Sequence, residues 1–303
     1  MVRLYLITLA LVLASGKNVA KDEVIHSAFT RNNLVAWCIV PFDSKQRTPP
    51  KRAEMVARLG LSKVAYDWRN QHVASFEEEI LQYKKHGIEF FAFWGWHDTM
   101  ESLIHKHGIQ PQVWSTLGSP KADTQNQRVI AAAKSMVPLA EKTGLLGLKL
   151  GLYNHGGWGG EPENLAAVCN ELKRQGHNHT GIVYNFHHGH GHIKDFAKSL
   201  SIMKPHLLCL NLNGMSGPSN FRKILPIGQG QHEKSMMQAI INTNYKGPIG
   251  ILGHVANRDV EIVLKENLHG LEKLSKELRP YEFNPSAPEA LRERSPHQKA
   301  FGR

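Results

Sequence analysis

The chain alternates between short apolar runs and stretches whose apolar residues recur every three or four positions. Such spacing is typical of amphipathic helices, whereas a short apolar run between turn residues indicates a strand. Eight runs predict strands, and they cover residues 34–40, 63–68, 88–94, 109–114, 145–153, 181–186, 206–212 and 248–252. Eight alternations of strand and helix predict an α/β fold with a parallel sheet that closes into a (β/α)₈ TIM barrel.

An open, doubly wound sheet is the competing architecture. It normally carries a glycine-rich phosphate-binding turn after its first strand. Here the first strand is followed by Pro41-Phe42-Asp43-Ser44, which is not a turn of that kind. The pattern therefore favours the barrel, as one domain over residues 34–280.

Polar side chains follow the later predicted strands at the points where those strands end. The fifth strand runs into Tyr153-Asn154-His155-Gly156-Gly157, the sixth into Asn185-Phe186-His187-His188 and the seventh into Asn211-Leu212-Asn213. His254 follows the eighth strand. Because the strands of a TIM barrel all end on one side, we expect Tyr153, Asn185, Asn211 and His254 to open into one polar pocket.

The net charge of +11 and the pI near 9.5 raise the question of a nucleic-acid partner. Surfaces that bind nucleic acid concentrate their Lys and Arg residues on one face or along one helix. In this 303-residue chain the basic residues are scattered, and no Lys/Arg block is interleaved with aromatic residues. We therefore expect a small-molecule partner and no nucleic acid.

The first sixteen residues have the pattern of a secretory signal peptide. A basic start at Arg3 is followed by an apolar run over residues 4–13 and by the small residues Ala14-Ser15-Gly16. The apolar run is short for a membrane span, and an uncleaved anchor is the alternative. We expect an exported protein, periplasmic or extracellular, with no integral membrane span after cleavage. Residues 17–33 would lead into the barrel, and residues 281–303, rich in Pro and Arg, would form a flexible tail.

The strand-end motifs, together with Gly228-Gln229-Gly230 beyond the seventh strand, give the chain a family likeness. Over residues 34–278 it resembles the xylose isomerase-like TIM-barrel superfamily. That superfamily comprises sugar isomerases, sugar-phosphate epimerases and apurinic endonucleases of the family 2 type. The resemblance implies a sugar-type ligand at the carboxyl end of the barrel, and a divalent metal held there by carboxylates and histidines.

Several metal positions of that superfamily hold a different residue type in this chain. The superfamily places Glu-Asn-His after the fifth strand, Asp-x-x-His after the sixth, His-x-Asp after the seventh and Glu after the eighth. Neutral side chains occupy the matching carboxylate and seventh-strand positions here: Tyr153, Asn185, Asn211 with Asn213, and Leu252. Mg²⁺ and Mn²⁺ prefer charged oxygen ligands, so we expect the Mg²⁺/Mn²⁺ site to be absent. His188 keeps its ligand type and His155 also matches, so an ion, if bound, would be a divalent transition metal held through His188.

Three side chains are candidates for acid–base catalysis. His155 and His188 lie after the fifth and sixth strands, and imidazoles exchange protons near neutral pH. Lys149 lies four residues before Tyr153, so period-two alternation places it deep inside the barrel if Tyr153 points inward. A buried lysine can serve as a base. A structural ion pair in the barrel floor is the alternative.

The remaining strand-end residues are predicted to bind the ligand. Amides both donate and accept hydrogen bonds, as sugar hydroxyls require, and indole faces can stack on sugar rings. The predicted ligand contacts are Tyr153, Asn154, Asn185, Asn211, Asn213, Trp94, Trp96 and His254. Each asparagine taken singly has the alternative of capping a loop. Asp67, after the second strand, could orient a hydroxyl or accept a proton, or could pair with Arg69 at the surface.

These features predict an exported sugar-active barrel with isomerase-, epimerase- or lyase-like proton transfer. The strand ends lack the paired Arg or Lys groups that clamp a phosphate, so the expected ligand is a neutral or oxidised sugar, or a glycoside. The alternative is a non-catalytic carbohydrate-binding or accessory protein that has lost the superfamily's metal site. DNA repair is disfavoured by the export signal and by the missing metal ligands.

Overall fold

The computed structural model describes residues 26–217 and 222–280, and within them eight parallel strands close into a barrel. The strands are β1 (Leu34–Trp37), β2 (Lys63–Tyr66), β3 (Glu89–Trp94), β4 (Gln112–Thr116), β5 (Leu150–Tyr153), β6 (Thr180–Asn185), β7 (Leu207–Leu212) and β8 (Ile249–Leu252). Each strand pairs with the next one along the chain, and β8 closes the barrel on β1 with Leu34 opposite Ile249. The predicted (β/α)₈ TIM barrel is confirmed.

A helix separates each strand from the next, and another follows β8. They are α1 (Pro49–Arg58), α2 (Phe76–Lys85), α3 (Asp98–His107), α4 (Gln125–Leu145), α5 (Pro162–Arg174), α6 (Phe196–Met203), α7 (Glu233–Asn242) and α8 (Val260–Lys276). Local sequence explains where some of the helices begin. The Thr124 hydroxyl accepts a hydrogen bond from the Gln127 amide at the start of α4, and the Asp259 side chain caps the start of α8 in the same way. Among the described residues, none of the helices combines the length and the apolar character that a membrane span requires.

The fifth strand is shorter than the sequence pattern predicts. Leu145 is the last residue of α4 and is 90% exposed, and β5 begins only at Leu150. Gly147 lies in the connection with φ of +69°, a conformation that glycine adopts without strain. The predicted start at residue 145 is wrong because this turn separates the apolar residues before it from the strand.

The ends of the chain bear on the predicted domain limits. The predicted signal peptide (residues 1–16) and flexible tail (residues 281–303) lie outside the described residues. Of the lead-in, residues 26–33 are described, and they form short 3-10 turns at Ser27–Phe29 and Arg31–Asn33. The Asn33 side chain donates to the carbonyls of Ala28 (2.8 Å) and Gly247 (2.7 Å), which ties this segment to the loop before β8.

Aromatic rings fill the interior of the barrel. The ring centroids of Trp37 and Trp114 lie 5.0 Å apart, and Tyr153 lies 6.4 Å from Trp114. Gly151 on β5 leaves room for these rings, because a Cβ there would lie 3.0 Å from Trp114 Cδ1 and 2.6 Å from Val183 Cγ2. The barrel is thus a packed core, and space for a ligand must lie at an end of it.

Gly151→Ala is expected to lower the free energy of unfolding, because the added methyl group collides with Val183 and Trp114. Overpacking of this kind costs about 1–3 kcal/mol. Gly118→Ala is the matched control, because a Cβ there meets nothing within 4 Å. Urea unfolding measures both variants. Equal stability of Gly151→Ala and the wild type would show that the interior is loosely packed at this point.

Candidate functional site

A cavity of about 240 Å³ opens at the carboxyl end of the barrel, and we call it the mouth cavity. Its described lining residues are Trp37, Cys38, Phe42, Asp67, Arg69, Trp94, Tyr153, His155, His187, His188 and His254. They come from the ends of β1, β2, β3, β5, β6 and β8 and from the loops that follow. The cavity therefore opens at the end of the barrel that the polar strand ends predict.

Asp67 brings a buried carboxyl group to the mouth cavity. The residue follows β2 and is 2% exposed. Its Oδ1 accepts hydrogen bonds from the amides of Ile39 (3.2 Å) and Val40 (3.3 Å), while Oδ2 has no partner among residues 26–217 and 222–280. Burial raises the pKa of the Asp67 carboxyl to about 6, and the charge of Arg69 opposes the rise. Such a group can accept and release a proton near neutral pH.

The backbone after β1 turns at Cys38 and so reaches Asp67. Cys38 has φ of +59°, which is uncommon for a residue with a side chain. The two amides that follow it, those of Ile39 and Val40, are the ones that bind Asp67. Burial raises the pKa of the Cys38 thiol, so it stays protonated and is not a nucleophilic thiolate. The unusual turn serves to hold the carboxyl group.

Four histidines crowd the wall of the mouth cavity. The ring centroid of His188 lies 3.6 Å from that of His187 and 4.4 Å from that of His155, and His254 stacks on Phe42 at 3.6 Å. Burial lowers the pKa of His187 to about 2 and that of His188 to about 3, and it also lowers the pKa of His254. Nearby basic groups add to these shifts. These three rings are therefore uncharged at neutral pH.

Asn154 and Asn185 are buried and bind protein groups. Asn154 clamps the backbone of Asn185: its Oδ1 accepts from the Asn185 amide at 2.7 Å, and its Nδ2 donates to the Asn185 carbonyl at 3.1 Å. The Asn185 side chain donates from Nδ2 to the Tyr153 hydroxyl and accepts through Oδ1 from the His187 amide at 3.2 Å. These bonds join the carboxyl end of β5 to that of β6.

Asn211 and Asn213 are also fully buried. Asn213 Nδ2 donates to the Gly214 carbonyl at 2.9 Å, while Asn211 Nδ2 and Asn213 Oδ1 lack a partner in the part of the chain that the structure describes. None of the four predicted asparagines is among the described lining residues. The predicted site residues that do reach the mouth cavity are Tyr153, Trp94, His155, His188 and His254.

Two predicted site residues lie elsewhere. Period-two alternation predicts Lys149 deep inside the barrel, but the residue is exposed and precedes β5 at the amino end of the barrel. That placement is wrong because β5, and with it the alternation, begins only at Leu150. Trp96 lies beyond β3, where its Nε1 donates to Asp98 at 3.0 Å and its ring faces the Lys142 ammonium group at 4.9 Å.

The side chains at the superfamily's metal positions do not suit Mg²⁺ or Mn²⁺. Tyr153 and Asn185 bind each other, and Leu252 is an apolar residue buried in the barrel interior. Burial raises the pKa of the Tyr153 hydroxyl far above its usual range, so the phenol offers no charged oxygen. Within the described ranges, no group of three or more His, Cys, Asp or Glu residues could hold an ion. A transition-metal site through His188 stays a prediction.

The mouth cavity also contains residues to which sequence reasoning gives no firm role. Asp67 follows a strand end, so the rule that selects the later polar residues could have selected it as well. Arg69 lines the cavity while its Nη1 donates to the Trp68 carbonyl at 2.7 Å. Phe42 has no local signal, because it reaches the cavity through the β1–α1 loop and stacks there on His254.

The chain is similar to known proteins in its fold. No known family profile matches the chain, and no curated protein matches its sequence. The probable 3-DHS dehydratase AsbF from Bacillus anthracis is 13% identical, with a TM-score of 0.62 over 79% of this chain and 98% of that chain. The 3-keto-D-glucoside 4-epimerase YcjR from E. coli is 12% identical, with a TM-score of 0.60 over 80% and 98%.

A xylose isomerase domain-containing protein from Salmonella typhimurium LT2 is 9% identical, with a TM-score of 0.58 over 80% of this chain and 98% of that chain. At these identities the likeness shows the fold alone. The chain has the fold of the xylose isomerase-like TIM barrels, as its resemblance to them predicts.

Asp67→Asn is expected to stabilise the protein at pH 7.5, because it removes a buried charge and keeps an oxygen for the two amides. A native pKa near 6 against an unfolded value near 4 means that ionising Asp67 lowers stability as pH rises from about 4 to about 6. The gain in the free energy of unfolding should approach about 3 kcal/mol at most above about pH 6, and it should fade below pH 4. Thermal unfolding of both proteins across this pH range measures it. A variant that is less stable at pH 7.5 would show that the carboxylate itself holds the fold.

Proposed function

We propose that this chain is an exported enzyme that moves a proton on a single sugar, as an isomerase or epimerase does. The observation that carries the proposal is the mouth cavity, in which Asp67 shares the walls with His155 and His188. Asp67 lines the cavity, and one of its oxygens is buried without a partner among the described residues, so it lacks a hydrogen bond that a ligand could supply. Asp67 offers the base that the removal of a proton from carbon requires, and the imidazoles beside it can form hydrogen bonds with the ligand.

The size and lining of the mouth cavity favour a monosaccharide. Small-molecule sites commonly enclose about 300–1,000 Å³, and this cavity, at about 240 Å³, suits one sugar ring better than a longer glycan. The indoles of Trp37 and Trp94 offer apolar faces for stacking. Arg69 offers a guanidinium group, which suits the carboxylate of an oxidised sugar. These features support a neutral or oxidised sugar as the ligand.

The proteins with the same fold support this class of reaction by analogy. YcjR is described as a 3-keto-D-glucoside 4-epimerase and AsbF as a probable 3-DHS dehydratase. Epimerisation and dehydration next to a carbonyl group both begin with the loss of a proton from carbon. The mouth cavity of this chain has the acid–base groups for such a step.

The proposal places the enzyme outside the cytoplasm. Its support is the basic start, the apolar run and the small residues within residues 1–16, which lie outside the described part of the chain. Phosphorylated sugars are cytoplasmic metabolites. An exported enzyme would therefore meet neutral or oxidised sugars instead.

A carbohydrate-binding protein without catalysis is the second candidate. It is favoured by the loss of charged oxygens at the superfamily's metal positions, where Tyr153 and Asn185 bind each other. The two candidates share a class of ligand. They differ in whether carbon-bound protons of the ligand exchange with solvent.

Incubation of the purified protein with sugars in D₂O distinguishes the two candidates. The panel is D-fructose, its C6-oxidised counterpart D-fructuronate and D-fructose 6-phosphate. Proton NMR should show deuterium entering next to the carbonyl group of the neutral or the oxidised sugar. Asp67→Asn should slow the exchange by about 10²–10⁴-fold. The control Asp98→Asn, at the exposed start of α3, should leave the rate unchanged.

The other outcomes are also decisive. Binding of a panel sugar in calorimetry, without any exchange, would establish the carbohydrate-binding alternative. Faster exchange with D-fructose 6-phosphate than with the other two sugars would contradict the proposed ligand class. Exchange at the wild-type rate in Asp67→Asn would remove Asp67 from the mechanism.

A further inference from the structure

The Tyr153 hydroxyl has a hydrogen to donate. It accepts a hydrogen bond from Asn185 Nδ2, and Tyr153 also lines the mouth cavity. A phenol has one hydrogen to donate and two lone pairs to accept with. Among residues 26–217 and 222–280 the hydroxyl has no acceptor for that hydrogen, because its hydrogen-bond partner, Asn185 Nδ2, is a donor. The hydrogen is therefore available to a ligand in the cavity.

The Asn185 amide cannot reverse its direction without losing a bond. Its Oδ1 accepts from the His187 backbone amide at 3.2 Å, which can only donate. Nδ2 must therefore face Tyr153. The backbone of Asn185 is itself held at both its amide and its carbonyl by the side chain of Asn154, at 2.7 and 3.1 Å. The orientation of the Tyr153 partner is thus fixed by buried bonds.

The Tyr153 ring is held as firmly as its hydroxyl. Its centroid lies 4.8 Å from that of Trp94, 6.2 Å from that of Trp37 and 6.4 Å from that of Trp114. Burial keeps the pKa of the hydroxyl high, and the negative charge of Asp67 adds to that effect. The phenol therefore stays neutral and positioned, as a preorganised hydrogen-bond donor must.

We propose that Tyr153 replaces the superfamily's metal ion as the group that polarises the carbonyl oxygen of a bound keto sugar, with Asn185 as its positioning residue. This inference rests on the proposed proton-transfer function and deepens it. Tyr153 and Asn185 stand at two positions where the resemblance places metal-binding carboxylates. In this chain the two side chains form a hydrogen-bonded pair that points a neutral donor at the cavity.

The step balances without a metal or a further reactant. Asp67 accepts a proton from the carbon next to the carbonyl, the C–H electron pair forms a carbon–carbon double bond, and the carbonyl pair moves onto oxygen. Tyr153 keeps its proton and donates a hydrogen bond to that oxygen, where negative charge develops. Asp67 then returns the proton to the former carbonyl carbon, while the proton of the neighbouring hydroxyl passes to the enolate oxygen. The product is the isomer, and in D₂O exchange at Asp67 labels it.

Tyr153→Phe tests the inference because it removes the hydroxyl and keeps the ring. Deuterium exchange into the active panel sugar should fall by about 10²–10³-fold, mainly in kcat, because the bond strengthens as the oxygen gains charge. Tyr184→Phe is the matched control: it removes the hydroxyl of another buried tyrosine, which packs between β6 and the helices. That control should keep the wild-type rate and KM.

Asn185→Asp gives a second test should Tyr153→Phe fail to fold. The change keeps the shape of the side chain but turns the donor toward Tyr153 into an acceptor. The carboxylate would then take the hydrogen of the phenol, so exchange should fall by at least about 10-fold in metal-free buffer. A wild-type rate in this variant overturns the role given to Asn185 and Tyr153.

Metal content is measured in parallel by mass spectrometry before and after dialysis against EDTA. We expect less than one equivalent of metal and an exchange rate that EDTA does not change. Exchange that EDTA abolishes and Mn²⁺ restores, or that survives Tyr153→Phe, overturns the inference and leaves the proposed function standing. Absence of exchange in the wild type with every panel sugar overturns the proposed function, and the inference falls with it.

Discussion

The two hydrogen bonds between the Asn154 side chain and the Asn185 backbone fix the end of the barrel on which the site depends. They hold the last residue of β6 against the end of β5. The Asn185 side chain is thereby aimed at Tyr153. A single bond of this kind contributes only about 0.5–1.5 kcal/mol, but breaking it leaves buried polar groups without partners, which costs more. The position of the Tyr153 hydroxyl thus follows from amides that never touch the ligand cavity.

The mouth cavity also contains features that stability alone does not favour. Asp67 is buried with one oxygen lacking a partner in the described chain, and burial shifts its pKa toward neutrality. The amides that hold its other oxygen follow Cys38, whose backbone adopts a positive φ. Strained backbone and incompletely paired charge persist where function requires them. Their coincidence in one cavity favours the proposed site over a structural ion pair.

The sequence predicts the barrel well, and it predicts the end of the barrel at which the mouth cavity opens, because both follow from local patterns. Strand–helix alternation defines the fold, and polar residues after the strands mark its carboxyl end. The predicted placement of Lys149 is wrong because a turn at Gly147 delays the start of β5, and the apolar residues before that turn have the pattern of a strand. Local sequence patterns also do not predict which way an amide side chain points. Only the register of β5 against β6 puts Asn154 opposite the Asn185 backbone. The role of Phe42 depends on a loop meeting the end of β8.

We thus propose that Asp67 is a titrating carboxyl group in a site that works without the superfamily's metal ion. The most direct measurement is a ¹³C NMR titration of the Asp67 carboxyl carbon, with its signal assigned by its loss in Asp67→Asn. We predict an apparent pKa of about 6 for this carboxyl group in the purified protein. A pKa of about 4 or lower, as in a solvated or ion-paired aspartate, would contradict it.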